Sequence, residues 1–375
     1  MRIGIEAQRI FRTKKHGMDI VALELIKAIQ KCDLVNEYFI FVRKGEDMSC
    51  LEETSNVKIV IVPGITYTDW EQIFLPIYAR KCKIDILHST SNTAPIMYAG
   101  KTVITLHDVI FLEPNQMAST ASFYQNLGKV YRKYIVPKVI RKANHVITVS
   151  NFERERIHSL MSIDLKKISV VYNSFGNHFS DIVHEGKAKE IKTKYKLPKE
   201  YIFYIGNTDP KKNIVTTMRA YLKYCMMVAE PLPLVIADIS ESFLDAVLKE
   251  SNTKSLRNKI QLTGYIDNAD LPSIYASATL FLYLSLRESF GIPLLESMAS
   301  GTPVISSYNS ALPEIAGDAA VYVNPTDEKN IGQAMANILG DSALVARLKQ
   351  KGFERVLHFD WSFSASKLIS LYTSI

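Results

Sequence analysis

Residues 278–305 read ATLFLYLSLRESFGIPLLESMASGTPVI, and the order of apolar and turn-forming residues in this stretch decides the fold. The apolar run that opens it is typical of a buried strand. Pro293 suits the first position of a helix and Gly301 suits the residue just past a helix end, so a helix is predicted over 292–300. The run PVISS that follows is strand-like again. The stretch therefore predicts a β-α-β unit.

The turn between this strand and this helix has the features of an anion site. The N–H groups at a helix N-terminus have no partner within the helix, and they favour a negatively charged ligand. Glu288 lies in the turn and Glu296 near the end of the first helical turn, so both carboxylates can face the ligand. An anion site flanked by hydroxyl-binding carboxylates suits a molecule that contains a sugar, a diphosphate and a ribose. The alternative is an ordinary turn with two solvated glutamates.

The composition of the whole chain indicates a folded globular protein. A length of 375 residues favours two domains, and 47% apolar with 22% charged residues excludes a disordered chain. The N-terminus lacks the pattern of a signal peptide, and no apolar run approaches the roughly 18 residues of a membrane span. The four cysteines lack the spacing of metal or redox sites. We therefore expect reduced thiols and a cytoplasmic location.

Apolar runs recur along the chain and alternate with helical patterns. This alternation predicts parallel sheets covered on both faces, in an α/β fold of two doubly wound domains whose ligands bind outside the carboxyl ends of the strands. The runs are RIGIEA, EYFIFVR, VKIVIV, DILHST, KTVITLHD, HVITVS and KISVVYN in the first half, and YIFYIG, LPLVIAD, KIQLTG, ATLFLYLS, TPVISS and AAVYVNP in the second. The net charge of +7 lies in residues 1–180, which carry 24 Lys/Arg and 17 Asp/Glu.

An ordered set of motifs resembles the retaining glycosyltransferases of family 4. The resemblance implies the GT-B fold, in which two Rossmann-like domains face a cleft and a C-terminal helix crosses back. Residues 1–180 are then the acceptor domain, 181–199 a linker and 200–357 the donor domain, with 358–375 returning to pack on the first. The motifs are HGMDIVALELIKAI, TLHDVIFLEP, HVITVSNFERERI, VVYNSFGNHF, YIGNTDPKKN, LTGYIDNADLPSIYASA, RESFGIPLLESMASGTPVI, LPEIAGDAAVYVNPTD and DWSFSASKLISLYTSI.

The Glu-x7-Glu motif carries the sugar-binding part of this resemblance. By its position, Glu288 is implied to contact hydroxyls of the donor sugar and to be catalytic, and Glu296 to contact the nucleotide ribose. The backbone N–H groups of Phe290, Gly291 and Ile292 are implied to meet the sugar and the phosphate. A side chain at Gly291 would block that approach.

The resemblance also implies which residues bind the diphosphate. Lys212 matches the family's phosphate-binding lysine, with Lys211 assisting, and it can offset the charge on the departing nucleoside diphosphate. Asn207 stands where many relatives carry an arginine, and we include it among the donor-binding residues. Gly17 matches a loop glycine that lets the backbone approach the donor phosphate. The alternative for the two lysines is an exposed position beside a Pro-Asp turn.

Two histidines at the carboxyl ends of predicted strands are further candidates. The resemblance implies that His107 lies close to the donor sugar and the reacting centre, and we expect Asp108 to orient its ring. His88 and Asn92, at the end of another strand, are acceptor-side candidates, and so is Asp108. A structural role for a lone histidine is the alternative.

The reaction that follows is the transfer of a hexose from a nucleoside-diphosphate sugar to a glycan or lipid-linked acceptor, with retention of configuration. Similarity to the mannosyltransferases of polysaccharide assembly favours GDP-mannose, and a UDP-sugar is the alternative. No Asp-x-Asp motif occurs in the sequence, so we expect neither a metal nor a cofactor, and no nucleic-acid partner. Two alternatives are another GT-B enzyme, such as a nucleotide-sugar 2-epimerase, and a non-catalytic sugar-nucleotide binder.

Residues 123–142 combine aromatic and aliphatic side chains with lysines and arginines, and no acidic residue occurs between Glu113 and Glu153. Basic amphipathic helices of this kind lie on anionic membrane surfaces. The sequence therefore predicts peripheral contact with the inner face of a membrane. The alternative is that the apolar stripe packs on the first domain's sheet.

Overall fold

The computed structural model describes residues 1–113, 123–181 and 183–375. The chain forms two compact units. The described residues up to Ser174 join Asp360–Ile375 in the first unit, and Phe175–Phe359 form the second.

Each unit contains one parallel β-sheet. The first has seven strands in the order β3-β2-β1-β4-β5-β6-β7, and the second has six in the order β10-β9-β8-β11-β12-β13. The strands are β1 (Arg2–Glu6), β2 (Glu37–Val42), β3 (Val57–Ile61), β4 (Ile86–Ser89), β5 (Lys101–Thr105), β6 (His145–Thr148), β7 (Ile168–Val170), β8 (Ile202–Ile205), β9 (Leu234–Ala237), β10 (Ile260–Gly264), β11 (Leu280–Tyr283), β12 (Val304–Ser307) and β13 (Ala320–Val323).

The strand order reverses between β1 and β4 in the first sheet and between β8 and β11 in the second. Such a reversal opens a crevice at the carboxyl ends of the two strands, and ligands of doubly wound folds bind there. The predicted fold class, two doubly wound α/β domains, is confirmed.

Helices connect the strands of both sheets. They are α1 (Gly17–Cys32), α2 (Tyr67–Asp69), α3 (Leu75–Lys81), α4 (Phe123–Lys142), α5 (Asn151–Met161), α6 (Glu185–Lys194), α7 (Ile214–Met227), α8 (Glu241–Glu250), α9 (Leu271–Ser277), α10 (Ile292–Ala299), α11 (Leu312–Ala316), α12 (Glu328–Gly340), α13 (Ser342–Val356) and α14 (Trp361–Ser374). A π-helical turn, Trp70–Phe74, joins α2 to α3.

The structure corrects the predicted linker at 181–199. Helix α6 lies within that segment and belongs to the second unit. The Lys194 ammonium lies 2.6 Å from the Asp270 carboxylate, which holds the end of α6 against the residue that precedes α9. Only Ile191 of this helix is buried. A helix with so small an apolar face resembles a charged linker in sequence.

The π-helical turn places Glu71 inside the first unit, where it is 0% exposed. Its carboxylate accepts hydrogen bonds from Tyr67 Oη (2.8 Å), Gln72 Nε2 (2.7 Å) and Tyr131 Oη (2.5 Å), and from the Thr93 hydroxyl. Burial raises the pKa of this carboxyl, although the hydrogen bonds of Thr93, Tyr131 and Tyr67 lower it. Since Tyr131 lies on α4, this network fixes α4 to the turn between α2 and α3.

The terminal helix α14 packs on α1 within the first unit. Tyr372 near its end is fully buried. The Ser364 hydroxyl donates to the Tyr172 carbonyl (2.6 Å), which fixes the start of the helix.

Candidate active site

The structure brings together two predicted site residues, Lys212 and Glu288, at the carboxyl edge of the second sheet. Lys212 follows β8 and Glu288 follows β11, and these strands pair in parallel at the point where the strand order reverses. The Lys212 ammonium lies 2.7 Å from Glu288 Oε1. The two side chains are 16% and 13% exposed. The pair therefore stands where the topology predicts a ligand.

Each member of this pair stabilises the charge of the other. Burial alone raises the pKa of the Glu288 carboxyl, but Lys212 and then Lys211 outweigh it and hold the pKa below its usual value. Burial alone lowers the pKa of the Lys212 ammonium, but Tyr283 and Glu288 raise it above its usual value. Both groups are therefore ionised at neutral pH.

The loop after β8 is built to fix the backbone of Lys212. The Asp209 carboxylate accepts the backbone N–H of Lys211 (3.0 Å) and so starts a single helical turn. The Tyr204 hydroxyl donates to the Lys212 carbonyl (2.7 Å). The Lys211 carbonyl accepts the N–H of Leu286 (2.7 Å), which ties this loop to the loop after β11.

Two residues that the sequence did not single out complete this arrangement. Tyr283, the last residue of β11, places its hydroxyl 3.4 Å from Lys212 Nζ. Asn213 has a left-handed backbone (φ +63°), and its amide donates to the carbonyls of Leu284 (3.1 Å) and Pro325 (2.7 Å). Tyr283 lies within an apolar strand, so its sequence context gives no polar signal. Asn213 closes the motif YIGNTDPKKN, which was a signal that could have identified it.

The remaining donor-side candidates on the β8 loop contact their own loop. The Asn207 side-chain oxygen accepts the N–H of Asp209 (2.9 Å). The Lys211 ammonium lies 3.7 Å from the Asp209 carboxylate. Asn207 and Lys211 therefore shape the loop that carries Lys212.

Helix α10 begins at the predicted Ile292 and ends at Ala299, one residue before the predicted end, and the glycine before it has a structural reason. Gly291 has a φ of +108°, which side chains disfavour, and a Cβ there would lie 2.8 Å from the Leu312 side chain. The positive φ is therefore the main reason for glycine at this position, and the nearest neighbour is the end of the Leu312 side chain. Phe290 is buried and packs edge-to-face on Phe359 (centroids 5.9 Å apart), and Ile292 opens the helix.

Glu296 lies on α10 beside the buried Tyr275, whose hydroxyl is 3.3 Å from Glu296 Oε2. Burial raises the pKa of the Glu296 carboxyl to about 7, although the Tyr275 hydrogen bond opposes this shift. The carboxyl thus changes charge near neutral pH.

This shift predicts how stability depends on pH. The native state holds the Glu296 proton up to about pH 7, whereas the unfolded chain releases it near 4.5. The group therefore lowers the free energy of unfolding as pH rises from about 4.5 to 7, by up to about 3 kcal/mol. We expect Glu296→Gln to melt above the wild type at pH 8 and close to it at pH 4.5. Melting curves across this range test the prediction, with the exposed Glu354→Gln as a control; equal melting at pH 8 would contradict it.

In the first unit, His107 follows β5 and is 7% exposed. Its Nε2 lies 2.9 Å from the Thr90 carbonyl, so Nε2 carries the proton and Nδ1 is the acceptor of the neutral ring. Burial lowers its pKa, although the Thr90 hydrogen bond and Asp108 oppose this. The Asn92 side chain accepts the backbone N–H of His107 (2.6 Å). Thr90 therefore orients the ring in place of the predicted Asp108, whose carboxylate accepts the N–H of Ile110 (3.1 Å).

The structure also corrects the acceptor-side prediction for His88, which is 1% exposed. Its ring nitrogens bond the hydroxyls of Tyr372 (2.6 Å) and Thr105 (2.7 Å). Burial, with a further contribution from His107, lowers its pKa to about 3. The ring is therefore neutral, and it joins β4 to the terminal helix.

Gly17 is the first residue of α1, and a Cβ there would meet no heavy atom of the described residues within 4 Å. The helix start already carries a negative group. Asp19 accepts the N–H of His16 (3.1 Å) and forms an ion pair with Arg9 (3.1 Å). The predicted need for glycine at position 17 therefore has no steric basis in the unit itself.

Two further properties concern the described part of the chain. Across residues 1–113, 123–181 and 183–375, no group of three or more His, Cys, Asp or Glu side chains has an arrangement that could hold a metal ion. Within the same residues, no helix is both long and apolar enough to cross a membrane.

Two family models match the chain, one in each half. The model of glycosyl transferases group 1 matches residues 187–355, and the model of glycosyltransferase family 4 matches residues 16–175. O-antigen chain mannosyltransferase B of Escherichia coli is 29% identical over 278 residues, which are 72% of this chain and 70% of that protein.

A second relative is longer than this chain. The serotype-specific mannosyltransferase WbdA of Escherichia coli is 26% identical over 297 residues, which are 77% of this chain but only 36% of that protein. The chain therefore spans about a third of WbdA.

The solved structure of sucrose-phosphate synthase from Thermosynechococcus elongatus superimposes with a TM-score of 0.75 at 18% identity, and covers 100% of this chain and 98% of that one. This similarity shows the fold. The fold is the GT-B fold. The two family models, which together match residues 16–175 and 187–355, show that the chain belongs to the family 4 glycosyltransferases.

Proposed function

We propose that this glycosyltransferase moves a hexose, with mannose as the first candidate, from a nucleoside-diphosphate sugar to a hydroxyl of a glycan or lipid-linked acceptor, with retention of configuration. The observation that carries the proposal is the ion pair of Lys212 and Glu288 (2.7 Å) at the carboxyl edge between β8 and β11. An ammonium beside a carboxylate offers one group for a diphosphate and one for sugar hydroxyls.

The proposed roles follow from the charges. Lys212 stabilises the diphosphate as the bond from its oxygen to the sugar C1 breaks and the electron pair leaves with the phosphate. Glu288 accepts hydrogen bonds from hydroxyls of the donor sugar, and Glu296 from the ribose. The acceptor oxygen bonds to C1, and its proton goes to the departing phosphate. Because lysines supply the positive charge, we propose that no metal or cofactor is required.

Mannose and a surface polysaccharide are proposed from the relatives. O-antigen chain mannosyltransferase B and WbdA are both named for mannosyl transfer, and the first for O-antigen chains. GDP-mannose is therefore the first donor to test, and UDP-sugars are the second.

The test is turnover with a panel of GDP- and UDP-sugars in the presence and absence of methyl glycoside acceptors, with EDTA in a parallel set. The proposal expects acceptor-dependent release of nucleoside diphosphate, a product with the donor's anomeric configuration by NMR, and no effect of EDTA. Epimerisation without an acceptor would indicate the 2-epimerase, and binding without turnover would indicate a sugar-nucleotide binder.

We further propose that α4 contacts an anionic membrane. Among its described side chains from residue 127 onward, Ile135, Val136, Val139 and Ile140 are buried in the first unit, as the packing alternative predicted. A second apolar group faces outward: Leu127, Val130 and Tyr134 are 58%, 65% and 61% exposed. Exposed basic residues lie beside them, namely Lys133, Lys138, Arg141 and Lys142. An outward face that is apolar and basic is complementary to an anionic bilayer.

Co-sedimentation with anionic liposomes tests the membrane contact. We expect binding at low salt that falls as salt rises. Changing Arg132, Lys133, Arg141 and Lys142 to glutamine should weaken it more than tenfold, because each charge contributes about 1 kcal/mol near the surface. The same change at Lys189, Lys196, Lys199 and Lys249 of the second unit is the matched control. Absence of binding at low salt would contradict the proposal and favour a soluble acceptor.

A further inference from the structure

The loop that carries Glu288 is held on two sides. Its backbone is fixed from α11, because the Glu288 carbonyl accepts the N–H of Ala311 (3.4 Å), the residue just before that helix. Its other side is fixed by a side chain. Phe290 is 4% exposed, and its ring packs edge-to-face on that of Phe359, with the two centroids 5.9 Å apart. An edge-to-face pair has a preferred geometry, so it fixes the direction of a ring as well as burying it.

Phe359 is itself fixed on another side, by Arg355. The Arg355 guanidinium lies over the Phe359 ring, 5.1 Å from its centroid. The same guanidinium donates to the carbonyls of Glu314 (2.6 Å) and Ile315 (2.8 Å), which lie in α11. The last carbonyls of a helix have no partner within it, so Arg355 supplies the missing donors and fixes this short helix.

These contacts form a closed network around the Glu288 loop. The network runs from Glu288 through Ala311 to α11, and from the end of α11 to Arg355. It then returns to the loop through Phe359 and Phe290. All its members belong to the second unit, and Phe359 is the last residue of that unit along the chain. Because the network is closed, we expect the loss of one member to let the loop move relative to α11.

The position of the loop matters because the Glu288 carboxylate lies 2.7 Å from the Lys212 ammonium. A displacement of about 1 Å would stretch this contact beyond hydrogen-bond distance. In an active site, a misplacement of about 1 Å can lower the rate about 10²-fold even when its cause lies away from the reacting atoms. A residue that fixes the loop therefore acts on the reaction without touching the substrate.

We propose that Phe359 is a positioning residue of the active site, which keeps Glu288 beside Lys212. It acts through its contacts with Phe290 and Arg355. The inference rests on the proposed function and extends it to a residue outside the Glu-x7-Glu motif. The alternative is that Phe359 only fills the core of the second unit. Its replacement would then lower stability without changing the ion pair.

The first test measures the ion pair and requires no ligand. The coupling between Lys212→Met and Glu288→Gln is obtained from urea unfolding as a double-mutant cycle, once in the wild type and once with Phe359→Leu. Leucine keeps an apolar side chain but loses the aromatic ring. The coupling should therefore fall to about half of its wild-type value or less. An unchanged coupling would overturn the inference.

The matched control is Leu248→Ala, at a residue that is 2% exposed and packs in the core of the same unit. The cavity should lower the urea midpoint but leave the coupling between Lys212 and Glu288 unchanged. If Phe359→Leu does not fold, the same cycle is measured with Arg355→Met, which loses the donors to α11. The coupling should fall there too, and an unchanged value would equally overturn the inference.

The second test is turnover, with the donor and acceptor identified by the panel. Phe359→Leu should lower kcat by about tenfold or more, whereas Leu248→Ala should keep the wild-type kcat per folded molecule. When Lys212→Met is already present, Phe359→Leu should lower kcat much less, since the pair that it holds together is lost. A wild-type kcat for Phe359→Leu would overturn the inference alone. A wild type that turns over no donor contradicts the proposed function instead, and the double-mutant cycle then decides the role of Phe359.

Discussion

Replacing Lys212 by methionine is expected to lower kcat by about 10²–10³-fold, the usual cost of removing one preorganised donor from the site of developing charge. Methionine keeps most of the length and apolar volume of lysine but loses the ammonium that lies 2.7 Å from Glu288. The departing diphosphate then lacks the cation that lies beside Glu288. Steady-state kinetics with the donor identified by the panel measures the effect.

The control must separate the effect of the lost charge on catalysis from its effect on stability, because Glu288 loses its ion-pair partner in this variant. A buried carboxylate without a partner is strongly destabilising. The double variant Lys212→Met/Glu288→Gln removes both charges and should fold nearly as well as the wild type, yet it should remain inactive. Glu288→Gln alone should impair turnover more than stability. A Lys212→Met chain with wild-type kcat and donor KM would show that the phosphate site lies elsewhere.

Replacing Glu71 by leucine is expected to lower the free energy of unfolding of the first unit by about 3–5 kcal/mol. The hydroxyls of Tyr67 and Tyr131 and the Gln72 amide lose their shared acceptor, the fully buried Glu71 carboxylate. Glu71→Gln should cost less, since an amide oxygen still accepts some of these bonds. Urea unfolding measured by circular dichroism gives the magnitudes.

The matched control for Glu71 is the exposed Glu52. Glu52→Leu removes a carboxylate from the surface of the same unit and should change stability by about 0.5 kcal/mol or less. A loss below about 1 kcal/mol for Glu71→Leu would mean that the network relaxes without its carboxylate. Loosening of α4 should accompany the larger loss, because the Tyr131 hydroxyl is one of the polar groups that hold this helix.

Local patterns were sufficient to predict the architecture. Each of the thirteen apolar runs contains one strand of the described structure. Parallel strands covered on both faces need apolar side chains throughout, so they stand out from amphipathic helices in sequence. Helix α10 was equally well predicted, since Pro293 and Gly301 mark its ends through backbone geometry alone. Lys212 and Glu288 lie together at the carboxyl edge of the second sheet, which is where ligands of doubly wound folds bind.

Side-chain environments that depend on distant residues could not be predicted in this way. His88 bonds Tyr372, which lies 284 positions away, and neither local sequence contains a sign of the other. The Thr90 carbonyl that orients His107 is a backbone atom and leaves no trace in the sequence. Helix α6 was instead predicted as part of a linker. It buries so little apolar surface that its sequence cannot be distinguished from that of a charged connection.

The place of α14 has a consequence for the order in which the protein is made. Among the described residues, the second unit comprises Phe175–Phe359, so it is synthesised in full before residues 360–375. The first unit emerges from the ribosome before it, yet it needs Asp360–Ile375 to bury His88 and to cover α1. Domains of a nascent chain usually fold from the N-terminus onward. Here the half that is synthesised first stays partly assembled until residues 360–375 have been synthesised as well.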